Sequence, residues 1–247
     1  MTSSNRTCVV TGASRGIGRG IAEALGAEGA NVAVNYNYSS DAAEEAVAAV
    51  KDAGGDAIAV QADVADRDDV EAMAERTREA FGPVDVLVNN AGITEDTTFE
   101  SMTREDWDRV IDINLSGAFN TTKAFFSDVK SADSGRLINI SSIIGKQGNY
   151  GQVNYAAAKS GLFGMTRSLA LELAPHDSTA NVVAPGYTKT SMIEGVRDDI
   201  KDRIREDIPL DRFAEVEEIS AVVRFLASED ASYVTGEVID VNGAMDL

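Results

Sequence analysis

Short apolar runs alternate with amphipathic stretches along almost the whole chain, and this alternation restricts the fold more than any other feature. Thr7–Val10 is strand-like and Gly16–Glu28 reads as helix. Asn31–Asn35 is the next strand, followed by a helix over Asp41–Ala53 with Ala43, Ala46, Val47 and Val50 on one face. Ala57–Gln61 is a third strand. Val70, Met73, Ala74, Thr77 and Phe81 then recur at helical spacing until Gly82-Pro83 ends them. Strands are expected at Val84–Val88, Arg136–Ile140, Ala180–Ala184 and Val238–Val241, and helices around Arg104–Val129, Val153–Leu173 and Val216–Ala227. Parallel strands need crossover connections, and helices supply them. The order therefore predicts an α/β fold, a doubly wound parallel sheet covered by helices on both faces. No repeat or linker interrupts it, so residues 1–247 read as one domain. One segment departs from the alternation. Between Tyr187 and Phe213 the chain is charged and helix-like, with no strand directly after it. An insertion after the sixth strand lies at the carboxyl edge, where doubly wound sheets bind ligands. Residues 188–213 are expected to form a small helical lid over the substrate.

Charge narrows the partners. Asp plus Glu number 41 against 22 Lys plus Arg, a net of −19. Such a surface excludes nucleic acid, which demands positive charge, and anionic membranes equally. Carboxylate excess with few lysines suits a salty cytoplasm, where screening weakens self-repulsion, so a halophilic source is expected. No apolar run approaches membrane-spanning length, and Met1 to Thr7 lacks the apolar middle of a secretory signal. The expected location is cytoplasmic. Cys8 is the only cysteine and reads as a core residue, so neither a disulfide nor a multi-cysteine metal site is expected. The only histidine, His176, follows Pro175 at a helix end, which removes any Ser-His-Asp hydrolase. The acidic runs Asp198-Asp199 and Glu215–Glu218 read as solvated faces, not metal sites.

The first strand runs into Thr11-Gly12-Ala13-Ser14-Arg15-Gly16-Ile17-Gly18, a G-x-x-x-G-x-G turn. Gly12 permits the sharp turn, Gly16 lets backbone approach a phosphate, and Gly18 allows close packing where free N–H groups favour an anion. NAD-binding folds place a carboxylate about 20 residues on, against the ribose 2′-hydroxyl. Here that place holds Asn35-Tyr36-Asn37, and no acid follows until Asp41. Arg15, inside the loop of an acidic protein, is suited to a 2′-phosphate. The cofactor expected is NADPH/NADP+, with Asn35, Ser39 and Ser40 as weaker phosphate contacts.

Tyr155 and Lys159 lie four residues apart in a helical stretch and so share a face. A nearby ammonium favours phenolate and would lower a tyrosine pKa, making a tuned acid–base pair. Ser142 closes the fifth strand thirteen residues before Tyr155, Asn89-Asn90-Ala91-Gly92 closes the fourth, and Pro185-Gly186 closes the sixth. Asn114 falls within the long helix between them.

Together these motifs resemble the short-chain dehydrogenase/reductase superfamily from Thr7 to Met245, and most nearly its 3-oxoacyl thioester reductases. Gly148–Tyr155 and Pro185-Gly186-Tyr187 carry that closer similarity. The resemblance implies a Rossmann-like seven-stranded sheet in the order 3-2-1-4-5-6-7. It implies that Tyr155 protonates a ketone oxygen, Ser142 hydrogen-bonds the same oxygen, and Lys159 tunes Tyr155 and holds the nicotinamide ribose. Asn114 would position a water relaying protons to Lys159. Gly12, Ser14, Arg15, Gly16, Ile17 and Gly18 would form the cofactor loop. Asp63 and Val64 would face adenine, and Asn89, Ala91 and Gly92 the middle of the cofactor. Pro185, Gly186 and Thr188 would meet the carboxamide, with Thr190 near the phosphates. Gln152 and Tyr187 join Ser142 and Tyr155 as substrate contacts. A homotetramer is implied, packed through the long helices and the last strand.

Under a halophilic source the favoured substrate is a CoA thioester, acetoacetyl-CoA, reduced to 3-hydroxybutyryl-CoA for polyhydroxyalkanoate synthesis. Arg109, Lys189, Arg197 and Arg212 are available for CoA phosphates. The alternatives are an acyl carrier protein thioester, as in fatty-acid synthesis, and a sugar or polyol. A silent NADPH-binding sensor is the non-enzymatic alternative.

Overall fold

The structure, a computed structural model, describes residues 6–190, 193, 195 and 197–246. Seven strands form one parallel sheet: β1 (Thr7–Val10), β2 (Asn31–Tyr36), β3 (Asp56–Gln61), β4 (Val86–Asn89), β5 (Arg136–Ile140), β6 (Thr179–Pro185) and β7 (Val238–Val241). Their spatial order is β3-β2-β1-β4-β5-β6-β7, the order the family resemblance implies. Around it lie α1 (Gly16–Gly26), α2 (Ser40–Asp52), α3 (Arg67–Phe81), α4 (Arg104–Ile111), α5 (Gly117–Ser131), α6 (Ile144–Gln147), α7 (Val153–Leu173), α8 (Asp198–Glu206) and α9 (Val216–Ala227).

Alternation along the strands builds two cores. Cys8, Val10, Val32, Val34, Val86, Val88, Ile138 and Ile140 face one side, where α1, α2 and α9 cover them. Val9, Ala33, Val60, Leu87 and Leu137 face the other, against α3, α5 and α7. Every residue of β1, β4, β5 and β6 is buried, as a sheet covered twice requires. Cys8 belongs to the first core, and burial raises its thiol pKa to about 12.

Two departures from the sequence expectation bear on the site. The helix expected over Arg104–Val129 is split by a π turn at Asp112–Ser116. Its physical cause is local: Asn114 Nδ2 donates to the Val110 carbonyl at 2.9 Å, competing with the backbone ladder one turn below. The lid region contains α8, whose residues are all partly or fully exposed. A bridge between Thr188 and Ala214 closes its base. Ser191, Met192, Glu194 and Val196 of that segment lie outside the described residues, as do residues 1–5 and 247. No helix among the described residues is long and apolar enough to cross a membrane.

The crevice that matters falls between β1 and β4. These strands are neighbours in space, and the chain winds away from them in opposite directions. That is the switch point where loops at the carboxyl edge part and leave room for a ligand.

Candidate active site

The glycine turn leaves β1 at this crevice. Gly12 and Gly16 adopt φ of +62° and +55°, which side-chain-bearing residues rarely take. A Cβ at Gly18 would overlap the Asn90 side chain and the Gly12 carbonyl, so α1 starts hard against the end of β4. The first turn of α1 carries no acidic side chain. Its N-terminal N–H groups and dipole therefore meet no competing anion of the protein. Arg15, at the N-cap, is exposed and makes no side-chain hydrogen bond or ion pair among the described residues. Ser39, the N-cap of α2, is exposed too and makes no capping bond. Thr190 borders the loop: its Cγ2 would lie 3.6 Å from a Cβ on Gly16. A glycine cradle, an acid-free helix N-terminus and an open guanidinium fit a dinucleotide carrying a 2′-phosphate.

Asn35 is not part of that phosphate site. Only 2% of it is exposed, and its carboxamide is committed inside the fold. Its Oδ1 accepts from Gly12 N–H at 3.1 Å, and its Nδ2 donates to the carbonyls of Val60 and Ala62 at 3.3 and 3.1 Å. It holds the glycine turn to β2 and β3. The carboxamide of Asn89 is likewise bonded inside the fold. Its Nδ2 donates to Asn139 Oδ1 at 2.8 Å and Thr122 Oγ1 at 2.9 Å, and its Oδ1 accepts from Thr121. The side chain ties β4 to β5 and to α5, so its carboxamide is committed inside the fold, while the residue also lines the cavity described below. Asn90 and Thr11, not singled out from the sequence, join the loops instead. Asn90 Nδ2 donates to Thr11 O at 2.9 Å, and Thr11 Oγ1 accepts from the N–H groups of Asn90 and Ala91 at 2.9 and 3.0 Å. Polar residues ending an apolar buried strand must find partners, and that was the available signal.

Further along the edge, Ser142 follows β5, and its Oγ accepts from Ile144 N–H at 3.2 Å. The preceding Ser141 donates to the Lys159 carbonyl at 2.9 Å and so fixes α7 against the strand. Of the two serines, Ser142 is the one near enough to the Tyr155 hydroxyl to favour its ionised form. Lys159 Nζ donates to the Ile140 carbonyl at 2.9 Å and lies 5.6 Å from the Tyr155 ring centre. Burial lowers the Lys159 pKa to about 8. Burial likewise raises Tyr155 to about 12, opposed by the Ser142 hydrogen bond and reinforced by the charge of Asp96. With nothing bound, desolvation sets the direction of the Tyr155 displacement, opposite to the lowering expected from the sequence.

Asn114 sits on the π turn, 1% exposed. Its Nδ2 donates to Ile93 O at 3.0 Å and Val110 O at 2.9 Å, but its Oδ1 has no partner. A cavity of about 10 Å³ lies beside it, lined also by Thr11, Ala91, Ile140 and Lys159, and that is room for roughly one water. Gly92 borders the same space, since a Cβ there would sit 3.3 Å from Lys159 Nζ. An orphaned acceptor facing a water-sized space next to an ammonium suits a bridged contact.

On the substrate side, Tyr187 packs edge-on against Phe213, ring centres 6.5 Å apart. Gln152 is not a free substrate contact. Its Nε2 donates to Asp96 at 2.7 Å and its Oε1 accepts from Asn149 at 2.9 Å. The cations available for CoA phosphates all carry carboxylate partners: Arg109 with Glu95, Lys189 with Glu215, Arg197 with Asp199 and Arg212 with Glu218. Asp63 Oδ1 accepts from Ala65 N–H at 2.9 Å, and Val64 is buried beside Gly117. Pro185 ends β6, Gly186 N–H donates to Val241 O at 2.9 Å, and Thr188 Oγ1 donates to Gly186 O at 3.2 Å. Ser14 is buried in the glycine turn, and Ile17 packs on the core beneath it.

Known proteins match this chain over almost its full length. Residues 12–245 match a family model described as enoyl-(acyl carrier protein) reductase. The chain is 48% identical to the 3-oxoacyl-[acyl-carrier-protein] reductase FabG of Staphylococcus epidermidis, covering 98% of this chain and 99% of that one. The FabG of Escherichia coli K12 is 43% identical, covering 99% of each. A crystal structure of a protein from Sinorhizobium meliloti 1021, described as a short-chain alcohol dehydrogenase, superposes with a TM-score of 0.93. It is 37% identical and covers 98% of this chain and 96% of that one.

Proposed function

The chain belongs to the short-chain dehydrogenase/reductase family of oxidoreductases, and on that footing we propose that it reduces the ketone of a 3-oxoacyl thioester with NADPH. The observation that carries this reading is the meeting of Ser142, Tyr155 and Lys159 at one strand edge beside the glycine turn. NADPH, when bound, supplies the hydride. Gly12 to Gly18 would hold its phosphates, with Arg15 and Ser39 nearest the 2′-phosphate. Asp63, Val64, Ala91 and Gly92 would line its length, and Pro185, Gly186, Thr188 and Thr190 its far end.

The protein's own groups handle the proton. Burial keeps the Tyr155 hydroxyl protonated near neutral pH, the state a general acid needs. Ser142 holds that hydroxyl and the ketone oxygen together, and stabilises the charge gathering on oxygen. After transfer, the Lys159 ammonium beside the ring favours the phenolate. The space between Lys159 and Asn114 offers a route for returning the proton.

Delivery of a proton to oxygen fits a ketone, and the near full-length relatives are named for 3-oxoacyl reduction. Those names favour an acyl carrier protein thioester over the CoA thioester that the charge argument put first. Steady-state rates with acetoacetyl-acyl carrier protein, acetoacetyl-CoA and glucose test it. The carrier-protein thioester is expected to give the highest kcat/KM. Preference for CoA restores acetoacetyl-CoA as substrate, and turnover of glucose alone contradicts thioester chemistry.

A further inference from the structure

Ser142 stands in a short stretch that is fastened to α7 on both of its sides. Before it, Ser141 is 4% exposed, and its Oγ donates to the Lys159 carbonyl at 2.9 Å. After it, the Gly145 carbonyl accepts the Ser160 hydroxyl. Both bonds fall on one link of α7, the step from Lys159 to Ser160. Lys159 Nζ adds a third tie to the same strand end, on the Ile140 carbonyl at 2.9 Å. Gly145 lets the two backbones meet there. A Cβ on it would lie 2.9 Å from the Lys159 carbonyl carbon and 3.1 Å from the Ser160 nitrogen. Within the stretch the backbone closes on itself. Gly145 N–H donates to the Ser142 carbonyl at 3.0 Å, and Ile144 N–H to Ser142 Oγ at 3.2 Å. Tyr155 lies one helical turn before Lys159 on the same helix. Ser142 is therefore held against the peptide that carries Lys159, and through it against Tyr155.

We propose that Ser141 and Ser160 are positioning residues, which together set the Ser142 hydroxyl relative to the Tyr155 hydroxyl. The proposal rests on the ketone-reducing reading above and deepens it. Ser142 and Tyr155 must reach one ketone oxygen, yet they belong to different parts of the fold, a strand end and a helix. Rate is sensitive to such placement, because a displacement of about 1 Å can cost about a hundredfold. Apolar packing of α7 on the sheet is non-directional and leaves room for sliding. Hydrogen bonds are directional, and here they run both ways. Ser141 reaches from the turn to the helix, and Ser160 from the helix to the turn. Neither hydroxyl takes part in the proton chemistry; each acts through Ser142.

The test measures the single-turnover rate of NADPH oxidation, with enzyme in excess over acetoacetyl-acyl carrier protein or acetoacetyl-CoA, whichever the wild type uses faster. Ser141→Ala, Ser160→Ala and the hydroxyl-bearing Ser160→Thr are compared, alone and combined with Ser142→Ala. Ser141→Ala and Ser160→Ala are each expected to lower the rate by about tenfold, with NADPH affinity unchanged and Ser160→Thr close to the wild type. Neither should slow the Ser142→Ala enzyme further, because a residue that acts through Ser142 then has nothing left to place. NADPH binding, read by fluorescence, reports that each variant is folded. Ser160 is exposed, so Ser160→Ala carries the test if the buried Ser141→Ala does not fold. An unchanged rate in a variant that binds NADPH, or an equal loss in the Ser142→Ala background, overturns the positioning role while leaving the reductase reading intact. Absence of thioester turnover by the wild type removes that reading and this proposal with it.

Discussion

Two ionisable groups with opposite displacements govern the chemistry at the residue scale. Burial holds Tyr155 at about 12 and brings Lys159 down to about 8. Tyr155 is therefore protonated throughout the working range, while Lys159 loses its charge just above it. At limiting NADPH and thioester, kcat/KM is expected to be level near neutral pH and to fall as pH rises through about 8. Stability should respond in the opposite sense. The folded Lys159 gives up its proton at about 8 against an ordinary 10.5, so between those values the unfolded chain holds more protons. The contribution of this group to stability grows with pH over that window. Rate and melting profiles from pH 7 to about 10 check both signs, and a rate level across that range would contradict the role of Lys159. Arg15 supplies a second prediction. Its open guanidinium is placed for a 2′-phosphate, so Arg15→Ala should raise KM for NADPH by about tenfold or more and KM for NADH far less. An equal change in both would sink the assignment.

Individual residues separate what the sequence discloses from what it hides. Ser142, Tyr155 and Lys159 are legible because their spacing on a strand end and a helix face is one-dimensional information. The commitment of the Asn35 and Asn89 carboxamides is not legible, because exposure is not one-dimensional. Each lies where a cofactor contact is expected, and each spends its carboxamide on strands distant in sequence.

At the scale of elements, alternation locates all seven strands, and the errors gather where side chains compete with backbone. The π turn at Asp112–Ser116 is one such place, and it presents Asn114 to the cavity. The meeting of α1 with the end of β4, by contrast, follows the sequence expectation and is decided by the absence of a side chain at Gly18. Gly18→Ala would drive a methyl group into Asn90 and the Gly12 carbonyl, and the latter is backbone that cannot step aside. NADPH binding should weaken by about tenfold or more, and the melting temperature should fall modestly. Titration calorimetry reads the first and a thermal melt the second; unchanged affinity would mean that the turn does not hold the phosphates.

For the whole molecule, charge and exposed apolar surface pull in different directions. A net charge of −19 favours self-repulsion in dilute buffer and tolerance of concentrated salt. Yet Phe119 on α5 and Leu171 on α7 are 55% and 79% exposed, on the helices through which the family resemblance implies association. We infer a homotetramer held together best at high salt. Light scattering during a KCl titration should show four chains of 26.1 kDa at molar salt and smaller species as salt is withdrawn. A monomer at every concentration would refute the assembly, and salt-independent stability would refute the halophilic reading.

The account as a whole turns on proton delivery from Tyr155 to a ketone. The most direct measurement follows NADPH absorbance with acetoacetyl-acyl carrier protein for the wild type and for Tyr155→Phe, with NADPH binding recorded in parallel. The wild type should turn over, and the variant should bind NADPH equally well while kcat falls by about a hundredfold or more. A wild type that leaves NADPH unconsumed, or a variant that matches its rate, would contradict the account.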